Sequence, residues 1–150
     1  MRVVPVMQVA PGDNPAPRHE GEFRVILLDD SDFDREHLSR ICNRLGFSPD
    51  AAEDLPGFAE KTAATAYHLA IIDLRLGMGS GEDALRMLAA SAAPTMPVLL
   101  TGMDDPAVAD RARALGCAAC MHKDRFDMAE LRAVADAARR HAGLPAGAGR

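Results

Sequence analysis

Five side chains in this sequence have types and positions that could do chemistry together: the adjacent pair Asp29 and Asp30, then Asp73, Thr101 and Lys123. Each closes a short apolar run. Residues 23–28 stop at Asp29-Asp30, 69–72 run into Asp73, 98–100 into Thr101, and 117–121 into His122-Lys123. Carboxylates packed together repel one another and favour a divalent cation; oxygen ligands select a hard ion such as Mg²⁺, which keeps some of its waters. A lysine neutralises a phosphoryl oxygen as a point charge, and a threonine hydroxyl donates to another. This is the equipment for phosphoryl transfer to an aspartate, in which positioning and charge neutralisation do most of the catalysis. A single aspartate at a strand end more often caps a turn. Three acids, a hydroxyl and a lysine form a site if one fold brings them together.

The elements that must do so are legible from periodicity. Residues 69–74 are short, apolar and carry two β-branched residues, and Gly77, Gly79 and Gly81 follow. That reads as a strand buried on both faces and ending in a mobile loop. Asp73 then lies at the carboxyl end, where open α/β sheets hold their ligands. Upstream, 23–28 is a first strand, and Ser31 or Asp32 caps a helix whose apolar face is Leu38, Ile41, Cys42 and Leu45, ended by Gly46. Residues 47–52 read as a second strand. Asp54 caps a helix with Pro56 in its first turn, Phe58 and Ala59 among its apolar positions, and Tyr67 soon after. Glu82 and Asp83 open a third helix with Ala84, Leu85 and Leu88 on one face. After a fourth strand at 98–101, Asp104 or Asp105 caps a helix lined by Val108, Ala112 and Leu115, with Gly116 at its end. Residues 117–121 are a fifth strand, and Asp127 caps a last helix with Leu131, Val134, Ala135 and Ala138. Five strands alternating with five helices imply an α/β fold: a five-stranded parallel sheet, helices on both faces and right-handed crossovers. All strand carboxyl ends then share one edge, and the five residues converge.

The remaining composition narrows the function. The 150-residue length suits one domain with a sizeable core, and a net charge of −5 argues against a nucleic-acid surface. No apolar run approaches the ~20 residues that a bilayer span needs. Pro5 and Gln8 interrupt an apolar start that is short for a signal peptide. Cys42, Cys117 and Cys120 are odd in number and unevenly spread, against a disulfide framework and in favour of a reduced, cytoplasmic setting. Four prolines within 1–22, and Gly143, Pro145, Gly147 and Gly149 within 141–150, mark a flexible arm and tail around a domain at 23–140. With so few residues after the last helix, the sequence reads as a stand-alone module that acts through protein contacts.

Leu27-Leu28-Asp29-Asp30-Ser31, Ile71-Ile72-Asp73-Leu74-Arg75, Leu99-Leu100-Thr101-Gly102 and His122-Lys123 together resemble the motifs of the response-regulator receiver domain of two-component signalling, in order and with family-like spacing over about 23 to 140. Gly81 matches a glycine with which the family opens its third helix. The resemblance implies a flavodoxin-like (βα)₅ fold. It implies that Asp73 accepts phosphate from a sensor histidine kinase or histidine phosphotransfer protein. Asp30, Asp73 and the backbone carbonyl of Arg75 would hold Mg²⁺, with Asp29 assisting directly or through a water. Thr101 and Lys123 would contact the phosphoryl group, Thr101 moving toward it as the switch. Such a protein signals to a downstream protein target, homodimerisation being possible, with no nucleic acid or membrane involved. It is not an enzyme beyond catalysing its own Mg²⁺-dependent phosphorylation and dephosphorylation.

Three positions depart from that pattern. Cys120 stands where the family usually has an aromatic residue, and a small thiol cannot swing as a ring does. Asp124 stands where proline commonly follows the lysine; a cis bond without proline costs about 2.5–4 kcal/mol, so the Lys123–Asp124 peptide should be trans. Gly77 replaces a common proline, which should loosen the loop after Asp73. The alternative function is a pseudo-receiver: a binding or adaptor module that works without phosphorylation. Other signals fail. Asp30-Ser31-Asp32-Phe33-Asp34 starts like a calcium loop, but Arg35 and Ile41 occupy the positions that need Gly and Glu. The order Asp30, Thr101, Lys123 also suits a haloacid-dehalogenase phosphatase, but the second acidic pair is missing and Asp73 would have no role. Cys117 and Cys120 have zinc-like spacing, but on one strand residues three apart face opposite sides. Arg139-Arg140-His141 is a basic helix end that complements a helix dipole.

Overall fold

The structure is a computed structural model that describes residues 23–102 and 105–145. The expected arm at 1–22 and the last residues of the expected tail, 146–150, lie outside that range, as does Asp104.

Ten elements alternate along the chain: β1 (Val25–Leu28), α1 (Asp32–Arg44), β2 (Asp50–Ala52), α2 (Leu55–Ala64), β3 (Leu69–Asp73), α3 (Gly81–Ala89), β4 (Met96–Thr101), α4 (Pro106–Ala114), β5 (Ala119–His122) and α5 (Met128–His141). All strand pairings are parallel, in the order β2-β1-β3-β4-β5. The expected α/β architecture is therefore what the chain adopts. The order reverses between β1 and β3, the switch point at which such sheets leave a crevice.

The side-chain period of two divides the core cleanly. Val25, Leu27, Leu69, Ile71, Val98, Leu100 and Met121 pack with Leu38 and Cys42 of α1 and Leu131, Ala135 and Ala138 of α5. Their neighbours Ile26, Leu28, Ala70, Ile72 and Leu99 pack with Phe58 of α2, Leu85 and Leu88 of α3 and Val108 and Ala112 of α4. β1 and β3 are buried at every residue, as near-continuous apolar runs should be in a sheet covered on both faces.

Local chemistry settles the helix starts. Ser31 caps α1, Asp54 caps α2 and Asp105 caps α4; Asp127 caps α5, and its side chain accepts from the Glu130 N–H. α3 begins with a capping box made by Ser80 and Asp83. Gly46 and Gly116 end their helices with φ of 96° and 98°. Some boundaries differ from the periodicity. β2 is only Asp50–Ala52, because Phe47 turns into the core beside Phe23 at the end of α1. β4 begins two residues early, and its Pro97 carbonyl accepts from the Ala118 N–H. β5 begins at Ala119, so Cys117 lies outside it. α5 runs to His141, so the first residue of the expected tail is helical. No peptide bond among the described residues is cis, the Lys123–Asp124 bond included.

Candidate functional site

Side chains at the carboxyl edge of the sheet continue the alternation of the strands beneath them. Asp29 follows Leu27 in parity, Asp73 follows Ile71 and Lys123 follows Met121, all toward the face that α1 and α5 cover. Thr101 follows Leu99 toward the face of α4. The ladder extends just past the strands: the Lys123 N–H donates to the Thr101 carbonyl at 2.8 Å and the Leu74 N–H to the Leu100 carbonyl at 3.1 Å. Backbone registration thus brings Asp29, Asp30, Asp73, Arg75, Thr101 and Lys123 to one edge. Five of these six, Asp29 lying beneath, line a cleft of about 440 Å³.

The ammonium group of Lys123 is the hub. Its Nζ lies 2.8 Å from Asp34 Oδ2, 3.2 Å from Asp29 Oδ2 and 3.3 Å from Asp73 Oδ2. Burial disfavours the charge on Lys123, but the hydrogen bond to Asp34 and the fields of Asp73 and Asp29 outweigh it and hold the ammonium above its ordinary pKa. Asp73, 7% exposed, moves the other way: burial first, then repulsion from Asp29, push its pKa up to about 6 against the opposing pull of Lys123. A carboxylate that is partly starved of solvent and beside a second acid is the kind of perturbed group that marks functional clefts.

The acids also fit a hard cation. One oxygen from each of Asp29, Asp30 and Asp73 lies within 4.8 Å of the others. Asp29 is 1% exposed; its Oδ1 accepts from the Ser31 N–H at 2.9 Å, while its buried Oδ2 is in ion-pair range of Lys123 without the alignment of a hydrogen bond. Such an under-satisfied oxygen, aimed into an acidic cleft, suits a Mg²⁺-type ion or its water. Asp30 is exposed, and its Oδ2 accepts from the Gly77 N–H at 2.6 Å. A Cβ on Gly77 would come within 3.2 Å of that oxygen. The loop after Asp73 is closed on itself by an antiparallel bridge between Arg75 and Ser80. Gly79 takes φ +93°, and the N–H of Arg75 points at Asp73 Oδ1, 3.4 Å away. Gly81 packs against the backbone of the acid's own strand: a Cβ there would meet the Asp73 carbonyl oxygen at 2.5 Å and the Leu74 Cα at 2.9 Å.

Cys120 does not join this cleft. It is exposed on the α4 side, in a groove of about 320 Å³ between the β4–β5 edge and α4, with Val108, Ala109, His122 and Thr101 around it. Thr101 borders both spaces. Strand alternation places Cys117 and Cys120 on opposite faces, and the structure corrects that expectation. Cys117 precedes β5, escapes the strand alternation and packs in the α4-side core, on the same face as Cys120. Burial pushes the Cys117 thiol up to about 11, and the group packs as a small apolar side chain of the core.

Two residues that spacing does not single out belong to the site. Asp34 makes the shortest contact to Lys123. Arg35 donates from Nη1 to the Asp29 carbonyl at 2.7 Å and pairs with Asp32, which ties the first turn of α1 to the end of β1. In the sequence, Asp34 stands out only as the third acid of a failed calcium loop. The usable signal is its place three residues after the helix cap, on a helix that leaves the strand bearing Asp29.

A family model described as "Response regulator receiver domain" matches residues 25–136. Among curated proteins, the acid tolerance regulatory protein ActR of Sinorhizobium medicae (strain WSM419) is 33% identical over 93 residues, 61% of this chain and 47% of that protein. The matched stretch is thus about half the length of that relative. A receiver domain protein from Clostridium thermocellum superposes with a TM-score of 0.75 at 17% identity, covering 81% of this chain and 98% of that one. A Burkholderia pseudomallei response regulator, solved with a phosphorylated aspartic acid, a calcium ion and citrate, gives 0.70 at 21% identity over 81% and 72% of the two chains.

Proposed function

Because the chain belongs to the response regulator receiver domain family, we propose that it is a phosphorylation switch in which Asp73 takes a phosphoryl group from a histidine kinase or phosphotransfer protein. The observation that carries this reading is the placement of Asp73: a buried carboxylate with its Oδ2 3.3 Å from Lys123 and one oxygen within 4.8 Å of oxygens of Asp29 and Asp30. Asp29, Asp30, Asp73 and the Arg75 carbonyl would hold a Mg²⁺ ion, which supplies counter-charge to the phosphoryl oxygens. The protein's own work is to orient. The strand end fixes the Asp73 oxygen as nucleophile, Lys123 neutralises an incoming oxyanion, and Thr101 donates a hydroxyl from the other side. The solved Burkholderia pseudomallei relative, which carries a phosphorylated aspartic acid on this fold, supports the reading.

Output then passes through protein contacts. The face of α4, β5 and α5 adjoins both Thr101 and Lys123, so phosphorylation would shift its population of conformers rather than create a new fold. Cys120 leaves the adaptor reading without phosphorylation as the rival, since the usual ring is absent. Incubation with Mg²⁺ and acetyl phosphate, followed by intact-mass measurement, separates the two. The wild type should gain one phosphoryl group and Asp73→Asn none. No gain in the wild type, or an equal gain in the variant, sinks the switch.

A further inference from the structure

We propose that Asp34 is a positioning residue that restrains Lys123: it holds the ammonium on the α1 side of the site, and a phosphoryl group on Asp73 must share Lys123 with it. The inference rests on the phosphoacceptor reading above and adds a regulating residue to it.

Three observations on α1 support it. Asp34 Oδ2 lies 2.8 Å from Lys123 Nζ, nearer than either carboxylate at the strand ends. The position of Asp34 is not adventitious, because its own N–H donates to the capping Ser31 hydroxyl at 3.2 Å. The adjacent Arg35 bonds the Asp29 carbonyl, so the first turn of α1 is fastened to the same strand end that carries the acids. The backbone that carries this carboxylate is therefore fastened to the strand end, and Lys123 is the partner that holds its side chain.

The consequence follows from charge. Three carboxylates (Asp29, Asp34 and Asp73) lie within 3.3 Å of one ammonium, with Asp30 beside Asp29 and Asp73, and an oxyanion entering the cleft adds to the negative excess. Lys123 has three donors, of which Asp34 engages one by a well-formed hydrogen bond. Removing Asp34 frees that donor and deletes one negative charge, while Asp29 and Asp73 still keep the ammonium at the site. Both effects favour an anionic group on Asp73. Asp34 thus sets how tightly an anionic group on Asp73 is held, and loosening of its hold on Lys123 changes the surroundings of the first turn of α1. That gives the α1 side its own readout, independent of the groove in which Cys120 replaces a ring.

The test is beryllofluoride binding to the full chain with Mg²⁺, followed by amide chemical shifts. Asp34→Asn should bind about fivefold more tightly than wild type, the scale of one charge-assisted hydrogen bond made available to the anion, and Asp34→Glu should restore wild-type affinity. In a Lys123→Met background, Asp34→Asn should gain less than about twofold, which is what the deleted charge contributes across the cleft by itself, because the freed lysine donor is absent there. Amides of residues 32–38 should shift on binding in the wild type and less in Asp34→Asn. Unchanged or weaker binding in Asp34→Asn, or the same gain in both backgrounds, overturns the proposal while leaving Asp73 as acceptor. A wild type that binds no beryllofluoride removes the acceptor reading and this inference with it.

Discussion

On the α1 side of the sheet edge, Lys123 lies within 3.3 Å of three carboxylates, one of them 1% exposed. On the α4 side, the same edge presents Thr101 to a groove of about 320 Å³ where Cys120 stands exposed beside Val108 and Ala109. One side is specified by directed, charged contacts and the other by unfilled space. Charged contacts leave an uncompensated buried group when one partner is removed, whereas a loosely filled groove accepts a new side chain at little cost. The chemistry of the site should therefore be brittle and its transmission side tolerant, and changes made on the two sides should differ accordingly.

The sharpest way to break the contrast is to remove the hub. Lys123→Ala leaves Asp29, Asp34 and Asp73 facing one another without a counter-charge. Its phosphorylation rate with acetyl phosphate should fall about 100-fold, the scale of losing one preorganised electrostatic partner. A rate within a few-fold of wild type would mean that the acids, and not the lysine, organise the site. Steric tolerance provides the next comparison. Gly81→Ala drives a Cβ to 2.5 Å from the Asp73 carbonyl oxygen, and the obstacle is backbone that cannot rotate away. Unfolding in urea should show a loss of about 2–3 kcal/mol, toward the upper end for overpacking. Gly102→Ala, just beyond Thr101 with nothing within 4 Å of its Cβ, should stay within about 0.5 kcal/mol of wild type.

The pH dependence of stability isolates Asp73 itself. In the unfolded chain its carboxyl titrates at the ordinary 3.8, in the folded protein at about 6. Between those values the folded form binds more protons than the unfolded one, so without Mg²⁺ stability should fall as pH rises from about 4 to about 6. This contribution is about 1–3 kcal/mol and is complete above the folded pKa. Asp73→Asn should flatten that part of the profile in urea titrations at successive pH values; an identical slope in the variant would assign it to other groups.

The brittle side of the edge is also the side that the sequence declares most openly. A buried parallel strand is an apolar run with an abrupt polar stop, and that stop locates Asp29, Asp73, Thr101 and Lys123. The caps of α1, α2, α4 and α5 are legible to within a residue because their signal is equally local, whereas Ser80, which caps α3, is hidden among the glycines before it. Asp34 is not legible in this way. Its partner is 89 positions away, and the contact depends on how the first turn of α1 meets the residue just past β5, which no local period encodes. The faces of Cys117 and Cys120 escape for a different reason. Alternation counted from residue 117 holds only for a strand that begins there, and β5 begins two residues later.

The smallest effect, and the one that bears most on transmission, is Cys120→Phe. Position 120 pairs with Leu99 in register and opens on the α4 groove, so a ring there would lie against Val108 and Ala109 without displacing core atoms. Thermal or urea stability should change by less than about 1 kcal/mol, and uptake of phosphate should not change, since Cys120 borders neither Asp73 nor Lys123 in the cleft. What should change is reach. A ring bridging Thr101 to α4 couples a small movement of the hydroxyl to the helix, so amide shifts in residues 106–115 on beryllofluoride addition should be larger in Cys120→Phe than in wild type. Equal shifts in the two proteins would mean that the thiol already transmits what a ring would. Smaller shifts in the variant would mean that the groove must stay open for α4 to move, and the tolerant side of the edge would then be tolerant because it is the part that moves.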